Sequence, residues 1–169
     1  NQVFQPYLFD VEFIDLPTDE NWSAVKSRFE ALASDPETGI FIFEPLIQGA
    51  AGMKMYSVNH LNELMAIGRE NELVLIADEV MTGFGRTGTW FACDQTHEKP
   101  DVFCLSKGLT GGSMALSLTV CNDRIFAPFD NDDIDMTFLH GHSFTANPIA
   151  CAAANASFEL LMRPECKEN

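Results

Sequence analysis

Three side chains stand where chemistry could use them, each directly after a short apolar run. Glu44 follows Gly39-Ile40-Phe41-Ile42-Phe43, Asp78 follows Leu73-Val74-Leu75-Ile76-Ala77, and Ser106-Lys107 follows Val102-Phe103-Cys104-Leu105. In an open parallel sheet the carboxyl ends of the strands line the ligand crevice, so these three are expected to converge there. A lysine taken out of water loses proton affinity and becomes an amine nucleophile for carbonyl groups, which makes an aldehyde-bearing cofactor its natural target. Taken alone, a strand-end lysine is more simply the solvent end of its strand. Gly108, Gly111 and Gly112 change that balance, because they permit a tight backbone path and a close approach to a ligand. Asp78-Glu79 taken alone reads equally well as a structural ion pair, and its pairing with a lysine on another strand end favours function.

The elements that must position these residues follow from periodicity. Apolar runs too short for helices alternate with helical patterns, which predicts an α/β fold with a mostly parallel sheet and helices on both faces. Leu61, Leu64, Met65 and Gly68 predict a helix from about Val58 to Asn71, with Ser57 as N-cap. Ala115 to Cys121 follows a glycine-rich turn closely enough to predict an antiparallel return strand. The alanine-rich stretch Ile149 to Met162, between Asn147-Pro148 and Pro164, predicts a helix, and the loosely alternating Tyr7 to Leu16 an edge strand.

Composition bounds the rest. With 169 residues, 46% hydrophobic and 21% charged, the chain can build one sizeable core, as one domain or a large piece of one. Its net charge of −15, from 25 acids against 10 bases, argues against nucleic acid or an anionic membrane as partner. The acidic cluster Asp130, Asp132, Asp133 and Asp135 reads as a solvated loop. Five cysteines with no C-x-x-C spacing read as buried thiols of a reducing compartment, and with no apolar run of membrane-spanning length the expectation is cytoplasmic.

Two other motifs compete. Gly83-Phe84-Gly85-Arg86-Thr87-Gly88 is a literal G-x-G-x-x-G, but a dinucleotide turn should open directly into a helix, and here Pro100 intervenes before one of normal length can form. Arg86 within it reads as an anchor for that turn or for a dimer interface. His140 and His142 offer two imidazoles with no third ligand at a recognisable spacing, so no metal site is expected.

Four segments together resemble the class III, or omega, aminotransferases of the pyridoxal-phosphate-dependent fold type I. They are Phe43-Glu44-Pro45-Leu46-Ile47-Gln48-Gly49, Ile76 to Gly88, Leu105-Ser106-Lys107-Gly108-Leu109-Thr110-Gly111-Gly112 and His140-Gly141-His142-Ser143-Phe144-Thr145-Ala146-Asn147-Pro148, in the family's order and spacing from Ile40 to Leu161. The stretches Leu109 to Ser117 and Asn147 to Ser157 resemble the family's biotin-pathway branch. Met81 points the same way, since many other members carry glutamine there.

The resemblance implies pyridoxal 5'-phosphate as cofactor, with Lys107 bonded covalently to it and shuttling a proton, and Asp78 beside its ring nitrogen. It implies that Ser143, standing for the family's threonine, binds the cofactor phosphate of the neighbouring subunit, with His142, a departure from the family's Pro or Gly, in the same turn. Gly141 and Glu44 would face the substrate, the latter by analogy with members whose glutamate pairs with a gating arginine. It also implies a homodimer with shared sites, a small-molecule amino donor and keto acceptor, and, for the biotin branch, S-adenosylmethionine as donor. Another omega aminotransferase and a non-catalytic cofactor-binding protein remain the alternatives. Residues 1–169 would be part of the cofactor-binding large domain, with an N-terminal segment and a C-terminal small domain outside this chain.

Overall fold

Four short runs of β-branched, leucine and phenylalanine residues pair into one sheet because each satisfies its backbone groups only by lying beside another. The structure is a computed structural model and describes residues 10–167. The elements that matter are α1 (Trp22–Ala33), β1 (Ile40–Phe43), a small hairpin β2 (Ile47–Gln48) and β3 (Lys54–Met55), α2 (Val58–Glu70), β4 (Val74–Asp78), β5 (Val102–Leu105), β6 (Leu118–Cys121), α3 (Asp123–Phe126), α4 (Pro148–Leu161) and α5 (Pro164–Lys167). The sheet order is β1-β4-β5-β6, with β1, β4 and β5 parallel and β6 antiparallel to β5. The mainly parallel α/β architecture is therefore as the sequence predicts.

One face of this sheet carries the core. Phe43, Leu75 and Ala77 point into a cluster with Leu61, Leu64 and Met65 of α2 and Phe29 and Ala33 of α1. Ser57 caps α2 by accepting from Asn59 N at 3.1 Å. Gly68 lets α2 sit close to β4, since a Cβ there would lie 2.9 Å from Leu75 Cδ2. On the opposite face Ile40 and Ile42 are 54% and 61% exposed. α4 begins one residue before the expected Ile149, with Asn147 Oδ1 accepting from Ile149 N at 2.9 Å and Pro148 in the first turn. It buries Ala150 and Ala154 and packs against the turn Lys107–Thr110.

A charged node pins the far end of the sheet. Asp101, buried just before β5, accepts from Arg69 Nη1 with both oxygens at 3.0 Å, from Asn122 Nδ2 at 2.8 Å and from Leu75 N at 2.9 Å. Burial pushes its carboxyl up, but the hydrogen bonds from Leu75, Arg69 and Asn122 together hold it below the usual carboxylate range.

Some expectations need correction. Of the edge strand expected over Tyr7 to Leu16, residues 1–9 lie outside the described residues, and residues 10–16 form no strand. The cysteines are all free, but only Cys93 is buried, and Cys121 and Cys166 are exposed. Among the described residues no helix is long and apolar enough to cross a membrane, and no group of His, Cys, Asp and Glu could hold a metal ion.

Candidate active site

Strand pairing alone brings three candidate residues to one edge. Phe43 is the register partner of Ala77, and Asp78 of Cys104, so Glu44, Asp78 and Lys107 leave three adjacent parallel strands at their carboxyl ends. Alternation along β4 then separates Asp78 from its neighbour. Ala77 faces the α2 core, so Asp78 emerges on the other side of the sheet, the side of Ile76 and Cys104. Its charge is felt at Cys104, whose thiol is pushed up by burial first and by Asp78 second.

Lys107 is held in a strained backbone. Its φ is 44°, in the left-handed region that a lysine adopts only at a cost of about 1–3 kcal/mol. The surrounding turn fixes it there. Leu109 N donates to Ser106 O at 3.0 Å, Gly112 N donates to Lys107 O at 3.1 Å, and Ser106 Oγ donates to Leu116 O at 2.7 Å. Gly111, at φ 60°, ends the turn where a side chain would meet Ser157 of α4. The lysine side chain is exposed rather than buried at the strand end, and its amine has no hydrogen-bond or ion-pair partner among the described residues.

Glu44 is already engaged. Its Oε2 accepts from Gly49 N at 2.8 Å, closing the turn that leads into the β2–β3 hairpin, and its carbonyl accepts from Tyr56 Oη at 2.7 Å. Burial pushes the Tyr56 phenol up, which keeps it a donor. Met81, from the segment after β4, packs against this turn, its Sδ only 2.9 Å from where a Gly49 Cβ would be. Leu46, Met53, Met55, Met81, Arg86 and Gln95 line a cleft of ≈ 350 Å³ beside it. Arg86 is exposed and pairs with no described residue, so within this chain it does not anchor its turn.

The other candidates lie on the exposed turn preceding α4. His142 Nδ1 accepts from Phe144 N at 3.1 Å and Thr145 Oγ1 accepts from His142 N at 2.9 Å, so the histidine's ring shapes the turn. A Cβ on Gly141 would lie 3.3 Å from Thr145 Oγ1, close enough that the threonine would have to shift by a few tenths of an ångström. The Ser143 hydroxyl is exposed and without a hydrogen bond among the described residues. No hydrogen bond among those residues joins this turn to Lys107.

Sequence inspection left Glu79 as half of a strand-end pair, whereas the fold buries it completely, at 0% exposure. Strict alternation after Asp78 was the available signal. A carboxylate on one face of the sheet, an unpaired amine on a fixed turn and an exposed hydroxyl turn together fit a cofactor with an aldehyde, a basic ring nitrogen and a phosphate.

The family model for class-III aminotransferases matches residues 1–169. The chain is 48% identical over 176 residues to the adenosylmethionine-8-amino-7-oxononanoate aminotransferase of Synechococcus elongatus, covering 98% of this chain and 41% of that protein. Its likeness to the Helicobacter pylori protein of the same name is 42% over 153 residues, covering 85% and 34%. The crystal structure of the Methanocaldococcus jannaschii protein of that name superposes with a TM-score of 0.86 at 36% identity, over 99% of this chain and 39% of that one. The chain thus spans about two-fifths or less of the length of the relatives it matches.

Proposed function

The chain belongs to the class-III aminotransferases, and from that premise we propose that the whole protein transfers the amino group of S-adenosylmethionine to 8-amino-7-oxononanoate, giving 7,8-diaminononanoate for biotin biosynthesis. The observation that carries the reading is the strained, unpaired Lys107 on the strand next to that of Asp78. The relatives' printed names support the choice of substrates.

When bound, pyridoxal 5'-phosphate supplies an aldehyde that carries the amino group and a ring that takes up electrons. The Asp78 carboxylate would pair with the ring nitrogen and keep a proton on it, because an adjacent anion favours the charged form. Lys107 would hold the cofactor covalently through Nζ, and its amine would serve as the group that moves a proton at the substrate carbon. Donor and acceptor take turns in one site, a ping-pong sequence. Ser143, through its hydroxyl and its own amide and with His142 as the brace of the turn, would hold the phosphate of the neighbouring subunit's cofactor. Gly141 lets substrate approach that turn. Glu44 holds the turn beside the cleft through Oε2, which leaves Oε1 as the oxygen that would take part in substrate binding.

We assign the chain to the cofactor-binding large domain of a cytoplasmic homodimer. Ile134, Phe138, Leu139, Phe144 and Ile149 are all exposed around the Ser143 turn, an apolar surface of the kind that a second subunit covers. Addition of S-adenosylmethionine to the full-length protein loaded with cofactor tests the reading. A shift of the bound cofactor's absorption to that of its amine form supports it, and an unchanged spectrum with every amino donor overturns it.

A further inference from the structure

The role just given to Asp78 and Lys107 leaves Glu79 unused, although it is a fully buried carboxylate next in sequence to one of them. Its Oε2 accepts from Ala92 N at 2.8 Å and from Thr82 Oγ1 at 3.0 Å, and its Oε1 accepts from Cys93 N at 2.8 Å. Its own amide donates to Cys104 O at 3.0 Å and its carbonyl accepts from Gly83 N at 3.0 Å. The side chain therefore ties the turn Ala92–Gln95 to β4, while the backbone ties β4 to β5. Lys99 holds the other end of that turn, its Nζ donating to Cys93 O at 2.8 Å and Thr96 O at 3.1 Å.

The segment between these anchors reaches the lysine. Phe84, at φ 62°, lies against Gly108 so closely that a Cβ on Gly108 would be 2.9 Å from Phe84 Cβ. Phe84 also meets Phe91 edge-on, with ring centroids 5.7 Å apart, and Phe91 directly precedes the turn that Glu79 holds. A continuous path of contacts thus runs from Glu79 through Ala92 and Phe91 to Phe84 and Gly108, the residue after Lys107.

We propose that Glu79 is a positioning residue for the Asp78–Lys107 pair, acting through Phe84 on the backbone of Lys107. The inference rests on the cofactor reading above. Only a carboxylate suits the position, because both oxygens accept from backbone N–H groups. A glutamine would set its NH2 against one of them, leaving two donors facing each other in a buried place.

The test uses the full-length protein with pyridoxal 5'-phosphate as the probe. Cofactor affinity and the circular-dichroism signal of its absorption band are measured for Glu79→Gln, Phe84→Ala and the double variant, with thermal unfolding of each apo-protein alongside. Each single change is expected to weaken cofactor binding about tenfold or more, the equivalent of one lost hydrogen bond to a charged group, and to diminish the dichroic signal. The double variant should be no worse than the worse single one, because both act along one path. Unchanged affinity and dichroism in a less stable Glu79→Gln protein overturns the proposal, as does strict additivity. Should Glu79→Gln fail to fold, Thr82→Val, which removes one of the three bonds, is paired with Phe84→Ala under the same criteria. A wild-type protein without the cofactor band instead defeats the functional reading itself.

Discussion

Asp78 and Cys104 are register partners across two parallel strands, so the lysine three residues beyond Cys104 leaves the sheet beside the carboxylate. The β4–β5 ladder brings both to the carboxyl ends of adjacent strands.

Asp78→Asn should therefore keep the fold and lose the chemistry. Without the anion the ring nitrogen loses about two units of proton affinity, a penalty that corresponds to roughly a hundredfold drop in turnover. Steady-state rates alongside borohydride fixation are the check, with the cofactor still fixed to Lys107 while turnover falls. Wild-type turnover in the variant would remove Asp78 from the mechanism.

Widening α4 should disturb the lysine from behind. Ala154 is buried where that helix packs on the turn Lys107–Thr110, so Ala154→Leu overpacks the contact at a cost of about 1–3 kcal/mol. Chemical denaturation should register the loss, and cofactor affinity should fall with it.

Stability should fall in acid through Asp101. Its folded carboxyl lies below the usual range, because hydrogen bonds from Leu75, Arg69 and Asn122 outweigh the effect of burial. A depressed folded value means that the contribution is fully present above the unfolded carboxyl's titration, near pH 3.9, and is lost as pH falls through the folded one. Asp101→Ala should cost about 3 kcal/mol at neutral pH and flatten this acid limb. Urea melts at pH 7 and below pH 4 provide the comparison, and an equal acid slope in both proteins would contradict it.

If the Ser143 turn serves the neighbouring subunit, two crippled proteins should rescue each other. Lys107→Ala lacks the amine, and Ser143→Asp sets an anion against the phosphate. A mixed dimer would hold one doubly altered site and one intact site, so the mixture should recover up to half the wild-type activity per heterodimer. Purified heterodimers as inactive as either parent would place the phosphate within a single subunit.

The sequence made the four strands of the main sheet and two helices legible because their signals are local. Apolar runs ending at Glu44, Asp78 and Lys107, the cap Ser57 and the boundary Asn147-Pro148 all act within a few residues. The amphipathic helix Trp22–Ala33 went unanticipated, and its buried positions are only Val25, Phe29 and Ala33. What remained hidden depends on distant partners. The hairpin after Glu44 rests on Gly49 and Tyr56 reaching back to one residue, the left-handed Lys107 on a turn closed by Gly112, and the burial of Glu79 on amides 13 and 14 positions away. Likewise, continuous apolar strands imply cover on both faces, yet Ile40 and Ile42 stay exposed among the described residues.

The central claim is that Lys107 carries the cofactor. Of the other lysines, Lys26 pairs with Glu63 at 2.8 Å and Lys99 binds two backbone carbonyls, while Lys54 lies in the separate β2–β3 hairpin. Borohydride reduction of the full-length protein with pyridoxal 5'-phosphate, followed by peptide mass spectrometry, measures the attachment directly. The account predicts a single stable adduct on the peptide containing Lys107, lost in Lys107→Ala. An adduct on a different lysine, or none in a folded protein, would contradict it.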